Sequence, residues 1–174
     1  MQIDPRIKSR PLYDPVVIRS KAKKHLFIGA GAELDALYAS LPQEQCIRVA
    51  GGADGLTEAL RAELDKVFDT LPLASAVYVC GSEGFMWDIR NLALAAGLAD
   101  EQVQMCKPST KERRLFCTHC YEITEGVTHS PQVCSACGRL LLVRDHYSKL
   151  HGAYVGVQIN AEDPADIPET EELV

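Results

Sequence analysis

No stretch of this chain is apolar for the roughly 20 residues that a membrane-spanning helix needs. Its first residues hold no apolar signal core, so a soluble, cytoplasmic protein with no membrane partner is expected. An excess of basic charge is missing too: 18 Lys and Arg stand against 24 Asp and Glu, a net charge of −6. The imbalance is local. Residues 161–174 hold Glu162, Asp163, Asp166, Glu169, Glu171 and Glu172 without a Lys or Arg, which leaves 18 charges of each sign in the rest. A neutral body with an acidic tail lacks the basic footprint of a nucleic-acid-binding protein. The basic runs Arg19 to Lys24 and Lys107 to Arg114 read as solvated surface, so no nucleic-acid partner is expected. With 47% hydrophobic and 24% charged residues the chain has the balance of a folded globular protein rather than a disordered one, and its 174 residues fit one ordinary domain with a small appendage.

What the chain does have is seven cysteines, four of them in two pairs: Cys117-Thr118-His119-Cys120 and Cys134-Ser135-Ala136-Cys137-Gly138. Each pair brings two thiolates within reach of one cation, and the 13 residues between the pairs suffice for a short hairpin. Zn²⁺ favours four soft ligands in a tetrahedron, and Cys117, Cys120, Cys134 and Cys137 supply them. A two-residue gap lets backbone N–H groups turn toward the sulfurs, and Gly138 stands where the residue after such a knuckle often needs positive φ. Rubredoxin-like iron is the main alternative metal, since it shares four cysteines in this spacing. Tyr121, where rubredoxins usually have glycine, and the short gap favour zinc. The three cysteines left over, Cys46, Cys80 and Cys106, suit a reducing compartment and a buried, structural role.

Periodicity divides the rest. Residues 1–24, with Pro5, Pro11 and Pro15, read as an extended arm. Short apolar strands follow at Leu26–Ile28, Ile47–Ala50, Ala76–Cys80 and Val103–Met105. Between them lie helices with Leu34, Leu37, Tyr38 and Leu41 on one stripe, with Leu56, Leu60, Leu64 and Val67 on another, and from Phe85 to Ala96. Asp54 is a candidate N-cap for the second helix. Such alternation predicts an α/β fold: a small parallel-sheet domain over 25–106, covered on both faces. The stretch Lys107 to Arg114 reads as a linker within a zinc-ribbon module over 107–160, with strands at Leu140–Val143 and Ala153–Ile159. An acidic, proline-punctuated tail follows over 161–174 and reads as mobile.

Val77-Tyr78-Val79-Cys80-Gly81-Ser82-Glu83-Gly84-Phe85-Met86 resembles the last strand–turn–helix of the ferredoxin–NADP reductase family, and Leu26-Phe27-Ile28-Gly29-Ala30-Gly31 resembles its first strand and phosphate turn. The resemblance implies a reductase-like domain, with Gly29, Gly31, Cys80 and Gly81 as vestigial cofactor-binding candidates. The departures are specific. Glu33 and Leu34 stand where such reductases carry a small hydroxyl residue and proline, and Ser82 replaces the proline after Cys80-Gly81. A carboxylate at that helix start repels a diphosphate by about 1–4 kcal/mol. The domain therefore reads as a scaffold that has lost NAD(P)H. The chain also lacks room for a flavin-binding β-barrel and the C-x₄-C-x₂-C spacing of a plant-type [2Fe–2S] site.

Arg144-Asp145-His146-Tyr147-Ser148 invites a catalytic reading, but neighbours on a strand point to opposite faces, so Asp145 cannot readily orient His146. No catalytic residue is assigned. Tyr147, Tyr154 and Arg144 read instead as anchors for a partner surface. Phe116-Cys117-x-x-Cys120, Cys134-x-x-Cys137-Gly138-Arg139, Val143 to Ser148 and Gly152-Ala153-Tyr154-x-Gly156-Val157 together resemble the small A-subunit family of bacterial dimethylamine monooxygenases. That resemblance implies an accessory subunit of an NADPH- and O₂-dependent complex that demethylates dimethylamine. Haem, FMN and [2Fe–2S] would then sit on a haem oxygenase subunit and a flavin/iron–sulfur reductase subunit. A stand-alone NAD(P)H-dependent oxidoreductase domain with a zinc ribbon and a nucleic-acid-binding zinc-ribbon protein are the competing readings.

Overall fold

Short β-branched and aromatic runs, each ended by glycine or a turn, make the first of two compact units, Tyr13–Thr110. The structure is a computed structural model that describes residues 9–173; the first eight residues of the expected arm lie outside the described residues. Four strands, β1 (Lys24–Gly29), β2 (Cys46–Val49), β3 (Ser75–Cys80) and β4 (Val103–Met105), pair side by side in the order β2-β1-β3-β4. Every pairing is parallel, with Leu26 beside Val77 and Gly29 beside Cys80. Three helices connect them: α1 (Ala32–Ala39), α2 (Glu58–Thr70) and α3 (Glu83–Ala95). The expected parallel sheet is therefore present, with its elements in the expected order.

Alternation along the strands gives each face its own core. Leu26, Ile28, Val77 and Val79 pack with Leu60, Leu64 and Phe68 of α2 and with Phe85, Met86 and Ile89 of α3. Phe27, Ala76 and Tyr78 point the other way, against Leu34 of α1 and Val16 of the N-terminal segment. On that second face the Tyr78 hydroxyl accepts the Arg19 N–H at 3.0 Å and shares a 3.0 Å hydrogen bond with Nδ1 of buried His25. The α2 cap differs from expectation. Thr57, not Asp54, is the N-cap, and its Oγ1 accepts the Leu60 N–H at 3.2 Å. Gly51, Gly52 and Gly55 all have positive φ, and this left-handed loop carries the chain three residues past Asp54 before the helix starts.

The second unit comprises residues 9–12 and 111–173. Its strands are β5 (Arg113–Cys117), β6 (Ile123–Val127), β7 (His129–Ser130), β8 (Gln132–Val133), β9 (Leu140–Ser148), β10 (Ala153–Gln158) and β11 (Glu171–Glu172). Five of them form a mixed sheet in the order β6-β5-β10-β9-β8, parallel only between β10 and β5. β11 pairs antiparallel with β7, so the acidic segment does find a partner near its end. β5 begins inside the basic stretch expected to be a linker. Its Arg113 hides the strand's alternation because it faces inward with Leu115 and Cys117, all three buried.

Arg113 is inward because its charge is answered there. Its Nη1 lies 3.1 Å from Asp145 Oδ1, and its guanidinium sits 4.4 Å over the Tyr154 ring. Tyr154 in turn meets Tyr147 edge-on at 4.8 Å between ring centroids. Both tyrosines are buried, which corrects their reading as partner anchors. They face each other across β9 and β10 on the inner side of the sheet, where Tyr154 aligns with Leu115. Arg144, one residue away from that row, is exposed. No helix among the described residues is long and apolar enough to cross a membrane.

Two stability tests follow from these buried polar groups. Burial pushes the His25 pKa below its ordinary 6.5. The stability that neutral His25 contributes is present above the unfolded value and is lost as pH falls through the folded one. Urea unfolding of the Tyr13–Thr110 unit should show a midpoint that drops between pH ~7 and pH ~5, and His25→Gln should flatten that drop. In the second unit, Arg113→Ala should cost about 3 kcal/mol in a denaturant titration, the low end for a buried ion pair because Asp145 is partly exposed.

Candidate metal centre

Two hairpin turns carry the four cysteines. Cys117 ends β5 and Cys120 precedes β6; Cys134 follows β8 and Cys137 precedes β9. The turns share one backbone pattern. The Cys117 N–H donates to the Glu122 carbonyl at 3.0 Å, and the Tyr121 N–H donates back to the Cys117 carbonyl at 2.9 Å. Likewise the Cys134 N–H donates to the Arg139 carbonyl at 2.9 Å, and the Gly138 N–H to the Cys134 carbonyl at 3.1 Å. The residue that closes each turn is left-handed: Gly138 with φ 71°, as the sequence predicts, and Tyr121 with φ 65°. A left-handed tyrosine costs about 1–2 kcal/mol, and its equivalence in position to Gly138 was the one sequence signal for it.

The two turns are held face to face by side chains. Thr124 Oγ1, buried on β6, accepts the Ser135 N–H at 3.1 Å and lies 3.0 Å from the Ser135 hydroxyl, joining the second turn to the first hairpin. Thr118 anchors the first turn to β10, donating its N–H at 3.1 Å and its hydroxyl at 2.9 Å to the Gly156 carbonyl.

The four sulfurs converge as a result. Cys117 Sγ lies 3.9 Å from Cys137 Sγ, Cys120 Sγ lies 3.7 Å from Cys134 Sγ, and all four are within 4.8 Å of one another. A tetrahedral centre with bonds of about 2.3 Å to sulfur has edges of about 3.8 Å. The two shortest separations match such an edge and are far longer than a disulfide bond of about 2 Å; all seven cysteines are free. Cys117 and Cys134 are buried, while Cys120 and Cys137 are half-buried. The arrangement can hold a metal ion.

Two thiols that face each other, Cys120 and Cys134, are shifted in opposite directions. Near Cys120, the hydrogen bond from the Glu122 backbone favours the thiolate, but burial and the sulfurs of Cys117, Cys134 and Cys137 outweigh it and push the thiol up to about 12. For Cys134, burial raises the pKa, and the N–H groups of Cys137 and Ala136 with hydrogen bonds from Cys137 and Cys120 outweigh it and bring the thiol down to about 6. The thiolate is thus favoured at Cys134 and disfavoured at Cys120, 3.7 Å away; a cation coordinated by a thiol favours its thiolate form.

The vestigial cofactor candidates also come together, at the carboxyl ends of β1 and β3. There the connections leave the sheet in opposite directions, which is where open α/β sheets bind ligands. Here side chains of the domain itself pack close against the glycines. A methyl group on Gly52 would lie 2.5 Å from the Phe85 ring, one on Gly81 2.6 Å from it, and one on Gly31 3.0 Å from Cys80 Sγ. A hydrogen bond with Cys106 holds the Cys80 thiol below its ordinary range and pushes Cys106 up. The carboxylates at both helix starts are engaged by the N-terminal segment. The Val16 N–H donates to Glu33 Oε1 at 3.3 Å, and the Tyr13 hydroxyl donates to Glu83 Oε1 at 2.7 Å while accepting from Trp87 Nε1 at 3.0 Å. Sequence reasoning missed this strap, because nothing in Tyr13 or Val16 alone points to α1 or α3. Nor do Asp145 and His146 combine: Asp145 lies beside Arg113, and His146 Nδ1 is 3.2 Å from the Ser9 hydroxyl.

One comparison with known proteins falls within the second unit, and another runs across both. Residues 114–157, which contain both hairpin turns, match the family described as "Dimethylamine monooxygenase subunit DmmA-like, C-terminal domain". Over 146 residues the chain is 31% identical to the heme-dependent oxidative N-demethylase delta subunit of Ectopseudomonas mendocina (strain ymp), a match spanning 82% of this chain and 83% of that protein. No solved structure matches the chain. On that identity, carried along about four-fifths of both chains, this protein belongs to the DmmA-like small-subunit family.

Proposed function

We propose that the chain is an accessory subunit of a multisubunit, haem-dependent N-demethylase that converts dimethylamine to methylamine and formaldehyde with NADPH and O₂. The observation that carries this reading is the 31% identity to a delta subunit of an oxidative N-demethylase along 82% of the chain. In the balanced reaction one oxygen atom enters formaldehyde and the other leaves as water, with NADPH supplying two electrons. Haem belongs to an oxygenase subunit, and FMN and [2Fe–2S] to a reductase subunit. This chain contributes a zinc-ribbon module and a reductase-like scaffold, and works in the reducing cytoplasm, where its thiols stay free. Zinc bound by Cys117, Cys120, Cys134 and Cys137 is structural: four protein ligands leave no position open for substrate.

Co-expression with the haem-bearing and reductase subunits, followed by elemental analysis of each separated chain, tests the reading. One zinc per copy of this chain is expected, with haem on another subunit. Structural zinc supplies about 10–16 kcal/mol of apparent binding energy, and that energy becomes folding energy. Cys134→Ser should therefore abolish the metal and the cooperative melting of the second unit while Tyr13–Thr110 stays compact. A chain that purifies alone from such a mixture, or one that carries iron and is red, would sink the proposal.

We further propose that no dinucleotide binds between β1 and β3. Phe85 fills the space beneath the glycines, and Glu33 and Glu83 place negative charge at both helix starts. Calorimetry with NADPH should register no binding to the isolated chain; micromolar affinity would show instead that the strap yields to a nucleotide.

A further inference from the structure

The five-stranded sheet of the second unit has two faces, and both carry a row of apolar residues. The inner one holds Leu115, Tyr154 and Leu141, all buried. The outer one should alternate to polar residues if it met only water, as solvated faces of such sheets do. It does not. Ile123 on β6 stands beside Phe116 on β5, Phe116 beside Val155 on β10, Val157 beside Leu142 on β9, and Leu140 of β9 beside Val133 on β8. This row crosses all five strands. None of its members is buried, and Val133 and Val157 are 52% and 40% exposed.

The row continues over the first hairpin turn. The exposed imidazole of His151 lies flat on Phe116, with ring centroids 4.3 Å apart and 6° between planes, and Tyr121 lies 6.0 Å from the same ring. Tyr121 is 72% exposed and is the one non-glycine residue with positive φ among the described residues. A bulky aromatic held in a costly conformation and turned to solvent contributes little to the fold that glycine would not. Isolated exposed apolar residues are ordinary, but a contiguous band of this width marks an interaction surface.

Charge at the edge narrows the occupant. Arg144 follows Leu142 on the outer side of β9, is exposed, and has no ion-pair partner among the described residues. Arg114 on the same side is already engaged with Glu125 at 2.7 Å. We infer that this outer sheet face is the docking surface of the chain, and that its occupant is another subunit of the demethylase assembly presenting an apolar patch edged by a carboxylate opposite Arg144. The inference rests on the accessory-subunit reading above and adds to it which face is used and what chemistry meets it. The band supplies desolvated contact area, and the planar guanidinium supplies a directional, two-pronged contact with the carboxylate.

The test is tagged co-purification of the full chain with the haem-bearing and reductase subunits. Leu142→Glu and Val157→Glu, which place carboxylates in the middle of the band, and Arg144→Glu at its edge should each lower recovery of the other subunits by about tenfold or more. Metal content and melting should match the unaltered chain. Leu73→Glu, at an exposed apolar position in the other unit, should leave recovery unchanged. If Leu142→Glu or Val157→Glu loses metal or cooperative melting, Arg144→Glu decides. Should the unaltered chain fail to recover any subunit, the accessory-subunit reading itself falls, and this inference with it. Should the unaltered chain and all three variants recover partners equally, only the docking face is overturned. Sedimentation showing that the chain alone dimerises, and that the same variants make it monomeric, would overturn the inference in favour of a second copy.

Discussion

Four sulfurs within 4.8 Å of one another are the constraint around which residues 111–173 are arranged. Sulfurs at that spacing, two of them buried, are unfavourable neighbours as thiolates and poor hydrogen-bond partners as thiols. The chain nevertheless commits two hairpin turns with one backbone pattern to holding them there, and ties those turns together through Thr124, Ser135 and Thr118. The unit has no helix among its described residues, and its inner core is one layer of residues such as Leu115, Leu141 and Tyr154. Small cores of that kind commonly need a staple, and the cysteine cluster is placed to be one. Arg113 serves the same end at the opposite end of β5, its charge answered by Asp145 and its flat face covered by Tyr154.

In the first unit, parallel strands and glycine turns converge where β1 and β3 part, and there Gly52 and Gly81 meet the Phe85 ring while Gly29 and Gly31 meet Cys80. Phe85 packs so near Gly52 and Gly81 that the absence of their side chains serves internal packing. The strap at Tyr13 and Val16 then satisfies the carboxylates of Glu83 and Glu33 with a hydroxyl and a backbone N–H. A negative charge at a helix start is stabilised by the helix itself, so both glutamates are favourable where they stand.

Burial and exposure in the second sheet separate roles that look alike in the sequence. Tyr147 and Tyr154 are core; Tyr121 and Phe116, on or beside the first turn, are respectively exposed and half-buried. The residue type is the same or similar. What differs is which side of the pleat each one occupies, and the turn geometry that reverses the chain after Cys117.

By itself the sequence determined the elements that depend on local pattern. The four parallel strands, the helices between them, the pairing of the cysteines and the left-handed Gly138 were all legible, because periodicity and spacing act over a few residues. Family membership was legible too, in the motifs from Phe116 to Val157. Tertiary structure alone decided matters that depend on residues far apart in the chain: the strand inside the supposed linker, the strap over α1 and α3, and the ring beneath the glycines. Arg113 looked like surface until Asp145 and Tyr154, 32 and 41 residues away, arrived to neutralise and cover it. The inner or outer fate of each tyrosine was equally undecided, since strand register sets it, and a slip of one residue exchanges the two faces of a strand.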